Sequence, residues 1–325
     1  MKAIVQTRYG SAERLELREI DRPAYGENEV LLRVRAAGVD PGVWHLMTGR
    51  PYLVRMMGFG LRAPKIPVRG RDVAGLVEAV GPGVAGFAPG DEVYGTCETG
   101  SFAEYATARQ DRLAPKPPSL SFEQAAAVPI SGVTALQAVT AAGVREGQRV
   151  LVIGAAGGVG TFAVQLARAK GATVTGVCGK GKANLVLALG ADSVIDYTRE
   201  EVDHDGPRYD VVIDTAGNRR LSLLRRAMTP HGVLIIVGGE HGRGRLLGGF
   251  GRQIVRAPLI SLVGGQRLRG LAGRENAADL NALTTLIDEH TVTPVIDRTY
   301  PLDEAPEAIR YLAAGHAAGK TVITL

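Results

Sequence analysis

The sequence predicts an α/β protein of two domains, a β-rich domain followed by a domain built on a doubly wound parallel sheet. Residues 1–120 contain short β-rich runs bounded by glycine and proline, without a helical period longer than two turns. Beyond residue 120, continuous apolar strands alternate with amphipathic helices at the spacing of β-α-β units. A chain of 325 residues is also long enough to bury two hydrophobic cores.

A proline-rich stretch marks the expected boundary between the two domains. PKPPSL at 115–120 is a stiff break, so we assign residues 1–120 to the β-rich domain and 121–265 to the parallel-sheet domain. The last predicted strand, TVITL, has no helix after it. We therefore expect residues 266–325 to return to the first domain.

The individual elements follow from local patterns. Strand-forming runs at 31–40, 72–81 and 90–96 define the first domain. The second domain opens on Ser121 and Gln124, which have the spacing of a helix capping box. Its predicted strands are 149–153, 173–178, 193–197, 210–215 and 232–238, and its predicted helices are 161–170, 183–189 and 219–228. The last segment is predicted to contain helices 276–290 and 303–315 and strands 295–300 and 321–325.

The net charge of +5 raises the question of a nucleic-acid partner. The arginines are spread along the whole chain, aromatic residues make up only 5%, and no helix carries a basic stripe. We therefore expect no nucleic-acid partner. A denser group of arginines between residues 243 and 269 is typical of a solvated face or of the rim of a site for an anionic ligand.

Targeting and redox signals are absent from the sequence. No apolar run reaches the roughly 18 residues of a membrane span, and the first residues lack the apolar core of a signal peptide. Cys97 and Cys178 are too few for a disulfide framework and form no Cys-x-x-Cys motif. These features predict a soluble, cytoplasmic protein without a membrane span.

A glycine-rich turn separates the predicted strand 149–153 from the helix that follows it. A strand, Gly-x-Gly-x-x-Gly and a helix bind the pyrophosphate of a dinucleotide, because glycines allow close backbone approach and the helix N-terminus attracts anions. An alanine replaces the first glycine here. The candidate cofactor-binding residues of this turn are Ala155, Ala156, Gly157, Gly158, Val159 and Gly160. A turn of this kind without a ligand is the alternative.

The end of the second strand selects between the two nicotinamide cofactors. NAD-binding proteins carry an Asp or Glu there, about 20 residues after the glycines, for the ribose 2′-hydroxyl. This chain has Gly179, Lys180 and Lys182 and no acid in that loop. Because the whole chain has only seven lysines, two at one loop favour a 2′-phosphate and therefore NADPH. Two solvated surface lysines are the alternative.

Several motifs carry a family resemblance. The chain resembles the medium-chain dehydrogenase/reductase superfamily, and most of all its zinc-free quinone oxidoreductase branch, whose bacterial members are often labelled NAD(P)-dependent alcohol dehydrogenases. The resemblance implies a GroES-like β-rich catalytic domain joined to a Rossmann domain. The matching motifs are AAGVDP (36–41), PVRGRDVAGLVEAVG (67–81), PGDEVYG (89–95), GAAGGVG (154–160), GADSVIDYT (190–198) and HAAGKTVITL (316–325).

The positions of the zinc ligands differ from those of zinc-dependent relatives. Such relatives have a Cys at the position of Asp40, a Gly-His-Glu motif at the positions of residues 70–72 and another Cys near the position of Ile130. None of these ligands is present, so the resemblance implies no bound metal. Without a Lewis acid, a quinone or an α,β-unsaturated carbonyl compound is the expected acceptor for hydride from NADPH, because its negative charge is delocalised.

The resemblance also suggests which side chains donate the proton. Related quinone reductases have an Asn, an Asp and a Tyr or His at the positions of Asp40, Val43 and His45, so Val43 interrupts the polar relay. His45 and Tyr52 are the candidate donors, with Asp40 as the third candidate catalytic residue. A packed histidine and an aromatic pocket wall are the alternatives for His45 and Tyr52.

Further cofactor contacts are implied by the resemblance alone. Thr134 is expected near the diphosphate or the nicotinamide, Tyr197 near the adenosine phosphate and Asn218 beside the ribose.

The nicotinamide side is expected to rest mainly on backbone groups. Gly238 and Gly239 would flank the nicotinamide ribose, and Gly264 and Gly265 would present backbone to the carboxamide. Lys320 would reach over the cofactor.

The assembly and the reaction have alternatives. The apolar stretch Pro258–Val263 predicts a homodimer formed by edge-to-edge strand pairing, unless it is an internal strand. An enoyl-thioester reductase, with the arginines of 243–269 docking a carrier protein, is a second possible function. A non-enzymatic NADPH-binding regulatory protein is a third.

Overall fold

The chain divides into two compact units, over the residues that the computed structural model describes (1–238, 256–261, 264–315 and 317–325). Unit 1 consists of Met1–Val133 and Arg274–Leu325, and unit 2 consists of Thr134–Gly273. The C-terminal segment therefore belongs with the N-terminal one.

Unit 1 is built on a seven-stranded, mainly antiparallel sheet. Among the described residues, the nine strands of unit 1 are β1 Lys2–Val5, β2 Glu16–Glu19, β3 Glu29–Val39, β4 Asp72–Val80, β5 Glu92–Thr96, β6 Tyr105–Arg109, β7 Leu113–Pro115, β14 Ile296–Pro301 and β15 Lys320–Thr324. The strand order of the sheet is β14-β15-β3-β4-β5-β7, with β6 paired to β3, and β1 and β2 form a separate antiparallel pair. The helices of unit 1 are α1 Pro41–Thr48, α2 Tyr52–Val54, α3 Phe122–Ala126, α9 Ala277–Asp288 and α10 Ala305–Ala313.

The core of this sheet follows the period of two expected of a half-buried strand. Val30, Leu32 and Val34 of β3 are buried, and from Leu32 onward they alternate with the exposed Arg33 and Arg35. The buried valines pack with side chains of β4 and β5 in one cluster. The predicted GroES-like β-rich domain is confirmed.

Unit 2 is a six-stranded sheet in which every neighbouring pair is parallel. Its strands are β8 Arg149–Ile153, β9 Thr173–Cys178, β10 Ser193–Asp196, β11 Tyr209–Asp214, β12 Met228–Ile236 and β13 Arg267–Gly270. Their order is β10-β9-β8-β11-β12-β13, the doubly wound order, and confirms the predicted Rossmann fold. The helices of unit 2 are α5 Gly158–Ala169, α6 Ala183–Ala188, α7 Leu221–Ala227 and α8 Ala257–Ser261, and α4 Pro129–Ala142 begins in unit 1.

The units divide later in the chain than the expected boundaries at 120/121 and 265/266. α3 packs on β3 and β4, and the backbone N–H of Ile130 donates a hydrogen bond of 2.8 Å to Asp72 in unit 1. The proline break at 115–120 therefore lies inside unit 1. The capping box of Ser121 and Gln124 is present as predicted at the start of α3.

Two local expectations are wrong. α1 and α2 were not anticipated in the β-rich domain, because eight and three residues are too short to show a helical period. The first part of the apolar stretch Pro258–Val263 lies in helix α8, where Ile260 packs on the unit 2 core, and its last two residues, 262 and 263, lie outside the described residues. The edge strand beyond β12 is β13, so the predicted strand pairing of 258–263 loses its basis.

Within the described ranges, no helix combines the length and the hydrophobicity needed to cross a bilayer. The arginine-rich segment of the sequence analysis falls largely outside the described residues, since 239–255 and 262–263 belong to it.

Candidate active site

The glycine-rich turn of unit 2 leads from β8 directly into α5. Gly154 has a φ of +78°, a conformation that favours glycine, and it closes the tight turn. Ala155, next to it, is fully buried and has an ordinary φ. The tight turn is therefore made by Gly154, one residue before the alanine at the first glycine position of the motif, so the turn has its glycine although the spacing differs from Gly-x-Gly-x-x-Gly by one residue.

Gly160 and Gly157 have separate roles in this turn. A Cβ on Gly160 would lie 2.0 Å from the carbonyl oxygen of Gly154, so only glycine lets α5 pack so closely on the turn. A Cβ on Gly157 would meet only that same oxygen, at 3.3 Å. Gly157 is the N-cap of α5 and offers no side-chain cap to the first N–H groups of the helix.

These features fit a dinucleotide pyrophosphate. The first turn of an α-helix has N–H groups without intrahelical acceptors and the positive end of the helix dipole. Backbone without a side chain at Gly157 allows a phosphate to approach them. The candidate residues 155–160 are thus brought together on one short turn, at the carboxyl edge of the parallel sheet.

The candidate 2′-phosphate loop follows β9 at the same edge. Lys180 is exposed and Lys182 is half-buried, in one 3₁₀ turn. Gly179 lies beside Tyr197, since a Cβ added to it would be 3.6 Å from the tyrosine hydroxyl oxygen. The structure thus brings Gly179 and Tyr197 together from the ends of two neighbouring strands.

An acid also lies near this loop, which the sequence analysis did not consider. Asp196 ends β10 and pairs in register with Cys178. Hydrogen bonds from the backbone and side chain of Thr198 lower the pKa of Asp196, with smaller contributions from Arg199 and Lys180. It belongs to the third strand rather than the second, where the ribose-binding acid of NAD-dependent proteins is expected.

The remaining candidate contacts of unit 2 have different environments. Thr134 is half-buried in α4, and Asn218 is exposed after β11. Gly238 follows β12, and a Cβ there would lie 2.1 Å from the Thr215 carbonyl oxygen. Gly239 lies outside the described residues.

The expectation for Gly264 and Gly265 needs correction. They precede β13, and a Cβ on Gly265 would lie 2.7 Å from both His231 Nδ1 and the Pro230 carbonyl oxygen. Pro230 and His231 belong to the first half of β12, whereas Gly238 follows its end. The two glycines are thus at the amino edge of the parallel sheet, opposite the glycine turn, and not at the edge where the family resemblance implied a contact with the carboxamide.

A buried ion pair is the main polar feature of unit 1. Lys320 Nζ lies 2.8 Å from Asp72 Oδ2, and the two side chains are 2% and 0% exposed. The other oxygen of Asp72 accepts the backbone N–H of Ile130 at 2.8 Å. Lys320 is the first residue of β15, and Asp72 is the first residue of β4. Lys320 was expected to reach over the cofactor, but its ammonium group is used inside unit 1.

Asp40 adds a second buried carboxyl group to this pair. Its Oδ1 accepts a hydrogen bond of 2.7 Å from the Gly42 N–H as the N-cap of α1, whereas its buried Oδ2 has no hydrogen-bond partner among the described residues. Burial and the negative charge of Asp72 raise the pKa of Asp40 to about 6, although the Lys320 ammonium opposes them. Asp40 can therefore hold and release a proton near neutral pH.

His45 and Tyr52 are less well suited to donate a proton. His45 Nδ1 lies 2.8 Å from the carbonyl oxygen of Arg50, so Nδ1 carries the hydrogen and the other nitrogen of the neutral ring has none. Burial lowers the pKa of His45, which disfavours the imidazolium form. Tyr52 is 37% exposed, and its ring stacks under the Arg55 guanidinium group. Val43 is buried in the core.

Two family models match the chain. Residues 26–118 match an alcohol dehydrogenase GroES-like domain, and residues 189–323 match a family described as zinc-binding dehydrogenase. A mitochondrial NAD(P)H oxidoreductase of Mus musculus is 32% identical, over 92% of this chain and 82% of the relative. A 2-methylene-furan-3-one reductase of Solanum lycopersicum is 33% identical, over 99% of this chain and 79% of the relative.

A solved structure agrees with these sequence relatives. The quinone oxidoreductase from Coxiella burnetii superposes with a TM-score of 0.86 at 30% identity, covering 100% of this chain and 99% of that chain. The chain belongs to the quinone oxidoreductase-like branch of the medium-chain dehydrogenase/reductase superfamily. The protein is an oxidoreductase that uses a nicotinamide cofactor.

The three positions at which zinc-dependent members of the superfamily carry ligands are used differently in this medium-chain reductase. Asp40 caps α1, and Ile130 donates its N–H to Asp72. Arg71, at the histidine position, forms an ion pair of 2.6 Å with Glu275. Over the described ranges, no group of three or more His, Cys, Asp or Glu side chains is placed to hold a metal ion.

Sequence reasoning missed Asp72 and Glu275 as parts of this region. Asp72 appeared only as a difference from the Gly-His-Glu motif. Glu275 is 204 residues from Arg71 and also accepts the Thr96 hydroxyl at 2.9 Å, so no local pattern could reveal it.

Proposed function

We propose that this medium-chain reductase reduces quinones or α,β-unsaturated carbonyl compounds with NADPH and without a catalytic metal. The observation that carries the proposal is the buried cluster of Asp40, Asp72 and Lys320. It provides an ammonium group and a protonatable carboxyl group in the region where zinc-dependent relatives hold their metal. When bound, the reduced nicotinamide supplies the hydride.

A conjugated acceptor matches what these residues provide. Hydride addition to an enone or a quinone leaves a negative charge that is spread over several atoms, whereas a simple ketone concentrates it on one oxygen. A hydrogen-bond donor and one proton are then sufficient. Oxidation of a simple alcohol would instead require an alkoxide, for which Asp40, Asp72 and Lys320 provide no Lewis acid.

Asp40 is the proton donor in this proposal. Its Oδ2 accepts no hydrogen bond from any residue that the structure describes, and its pKa of about 6 leaves part of the population protonated near neutral pH. Lys320 balances the charge of Asp72, so that release of the proton from Asp40 does not leave two uncompensated carboxylates. His45 and Tyr52 have weaker support, for the reasons given above.

NADPH is the proposed cofactor because of the loop after β9. Lys180 and Lys182 supply positive charge to a 2′-phosphate, and Gly179 leaves room beside Tyr197. The names of two relatives, an NAD(P)H oxidoreductase and a furanone reductase, support a reductase of this kind. A homodimer, which now rests on the family resemblance alone, and a cytoplasmic location complete the proposal.

Steady-state turnover of the purified protein tests the proposed reaction. With NADPH, we expect reduction of quinones and enones to exceed oxidation of primary alcohols with NADP by a wide margin. Incubation with a chelator should leave the rate unchanged, and metal analysis should find no stoichiometric zinc. Faster oxidation of an alcohol than reduction of any quinone or enone would refute the proposal.

A further inference from the structure

Residues 50–66, here called the 50–66 loop, contain an unusual share of exposed apolar surface. Ten large hydrophobic side chains are exposed in the described part of the chain, and five of them lie in this loop. Met56, Met57 and Leu61 are 72%, 67% and 70% exposed. Exposed apolar groups that cluster in this way are typical of a surface that binds a protein, a membrane or a ligand.

The loop has a fixed base beneath these side chains. The Tyr9 hydroxyl donates a hydrogen bond of 2.6 Å to the carbonyl oxygen of Gly60. Arg55 Nε donates to the Gly49 carbonyl oxygen at 2.9 Å, and its guanidinium carbon lies 4.2 Å from the centre of the Tyr9 ring. The exposed apolar groups are therefore held outward on an anchored turn.

The charge of the loop has one sign. From residue 41 to residue 71 the sequence has no Asp or Glu. Arg50, Arg62 and Lys65 are exposed, and none of them forms an ion pair with another described residue. Apolar side chains flanked by unpaired cations are typical of a surface that lies at an anionic membrane interface.

A second copy of the chain is a poorer match for this loop. In a two-fold contact the same patch would face itself, so the cations of one copy would meet those of the other without an acid between them. Nucleic acid would meet methionine and leucine rather than a set of aromatic groups for base stacking. An anionic lipid surface accepts both the charge and the apolar side chains.

We propose that the 50–66 loop docks the protein on an anionic lipid surface. Met56, Met57 and Leu61 insert between the acyl chains, and Arg50, Arg62 and Lys65 contact the headgroup phosphates. Combined with the proposed function, on which this step rests, the docking identifies the acceptor class as lipid-soluble quinones that partition into the same bilayer. The binding is reversible, since three side chains bury little apolar surface.

Vesicle flotation tests the docking without any measurement of activity. We expect the protein to bind phosphatidylcholine vesicles that contain phosphatidylglycerol, and to bind pure phosphatidylcholine about a hundredfold more weakly, because each cation contributes about a fivefold factor. Met56→Ser with Met57→Ser, and Arg62→Glu with Lys65→Glu, should each reduce binding by at least tenfold. Leu259→Ser, at a side chain of unit 2 that is 60% exposed, is the matched control and should bind normally.

Unchanged melting temperatures and unchanged reduction of a short-chain, water-soluble quinone would show that both loop variants are folded. Equal binding to the two vesicle types, or no binding to either, would overturn the docking proposal. So would loop variants that convert a dimer to a monomer in sedimentation while vesicle binding is absent. Normal docking without turnover of any quinone would refute the proposed function and the acceptor class, and leave the docking intact.

Discussion

The two units build their candidate sites in opposite ways. In unit 2, the seven consecutive residues from Gly154 to Gly160 form a turn that would bind the phosphates with backbone groups and that leaves room for them because its glycines have no side chains. In unit 1, Asp40, Asp72 and Lys320 come from three distant parts of the chain and contribute charged groups that are almost fully buried. The first site depends on steric fit and the second on charge balance, so they should respond differently to substitution.

The largest expected effect concerns the ion pair of unit 1. Lys320→Met leaves the Asp72 carboxylate buried without its counter-charge and should destabilise unit 1 by about 3–5 kcal/mol. Trp44 is the single tryptophan of the chain and lies in α1, so its fluorescence during urea unfolding reports on this unit. Lys65→Met, at an exposed lysine, is the control and should change the midpoint little.

Neutralising both partners sharpens this test. Lys320→Met combined with Asp72→Asn should recover much of the lost stability, because no buried charge is left unpaired. If Lys320→Met alone were as stable as the parent protein, the ion pair would not have the role assigned to it.

The second effect concerns proton donation by Asp40. Asp40→Asn should slow enone reduction by about two to three orders of magnitude, since an essential donor is removed. In the parent protein the rate should fall as the pH rises through about 6, because the raised pKa of Asp40 is the point at which its proton is lost. The variant should show no such fall. A descending limb near pH 6 that persists in Asp40→Asn, or a larger loss in His45→Ala, would assign the donor elsewhere.

The third effect separates packing from binding within the glycine turn. Gly160→Ala places a Cβ against the backbone of Gly154 and should destabilise unit 2 by about 1–3 kcal/mol in thermal unfolding followed by circular dichroism. Gly157→Ala should cost only about 0.5–1 kcal/mol of stability, since alanine is a poorer N-cap than glycine, but it should weaken NADPH binding, because its Cβ would project where the phosphate approaches. Gly86→Ala, which meets no atom within 4 Å, is the control. Equal effects of the Gly157 and Gly160 substitutions would contradict this division of roles.

The smallest effect concerns cofactor choice. Lys180→Ala should weaken NADPH binding about tenfold, because the binding free energy of a charge-assisted hydrogen bond is at the low end of its range for an exposed lysine. NADH binding should not change, because NADH has no 2′-phosphate. Lys170→Ala, at another exposed lysine of unit 2, is the matched control. Isothermal titration with both cofactors measures the difference, and equal losses for NADPH and NADH would show that Lys180 does not contact the 2′-phosphate.

The same contrast explains what the sequence could predict. Local patterns predicted the parallel sheet of unit 2, the turn at 154–160 and the capping box at Ser121, because each of these features depends on residues that are close together in the sequence. The contact of Lys320 with Asp72 joins residues 248 positions apart. Charge balance of this kind leaves no periodicity, and the resemblance to a family assigned Lys320 to the wrong partner.

The errors in the last part of unit 2 have a local cause. Pro258–Ser261 is apolar and resembles a strand, whereas β13 has the sequence RLRG and resembles a surface turn. An edge strand pairs on one side only, so it does not need the continuous apolar run of a central parallel strand.

The discontinuity of unit 1 has a consequence for synthesis on the ribosome. Residues 134–273 are contiguous, so unit 2 has its complete sequence while the last segment of unit 1 has yet to be made. Strand β3 needs β15 as a neighbour, through the pairing of Val39 with Thr321. At about 5–20 residues per second, the 248 residues between Asp72 and Lys320 take roughly 10–50 s to translate. Throughout that interval the nascent chain presents an open strand edge and a carboxylate without its counter-ion, which is the period in which a chaperone would be of most use.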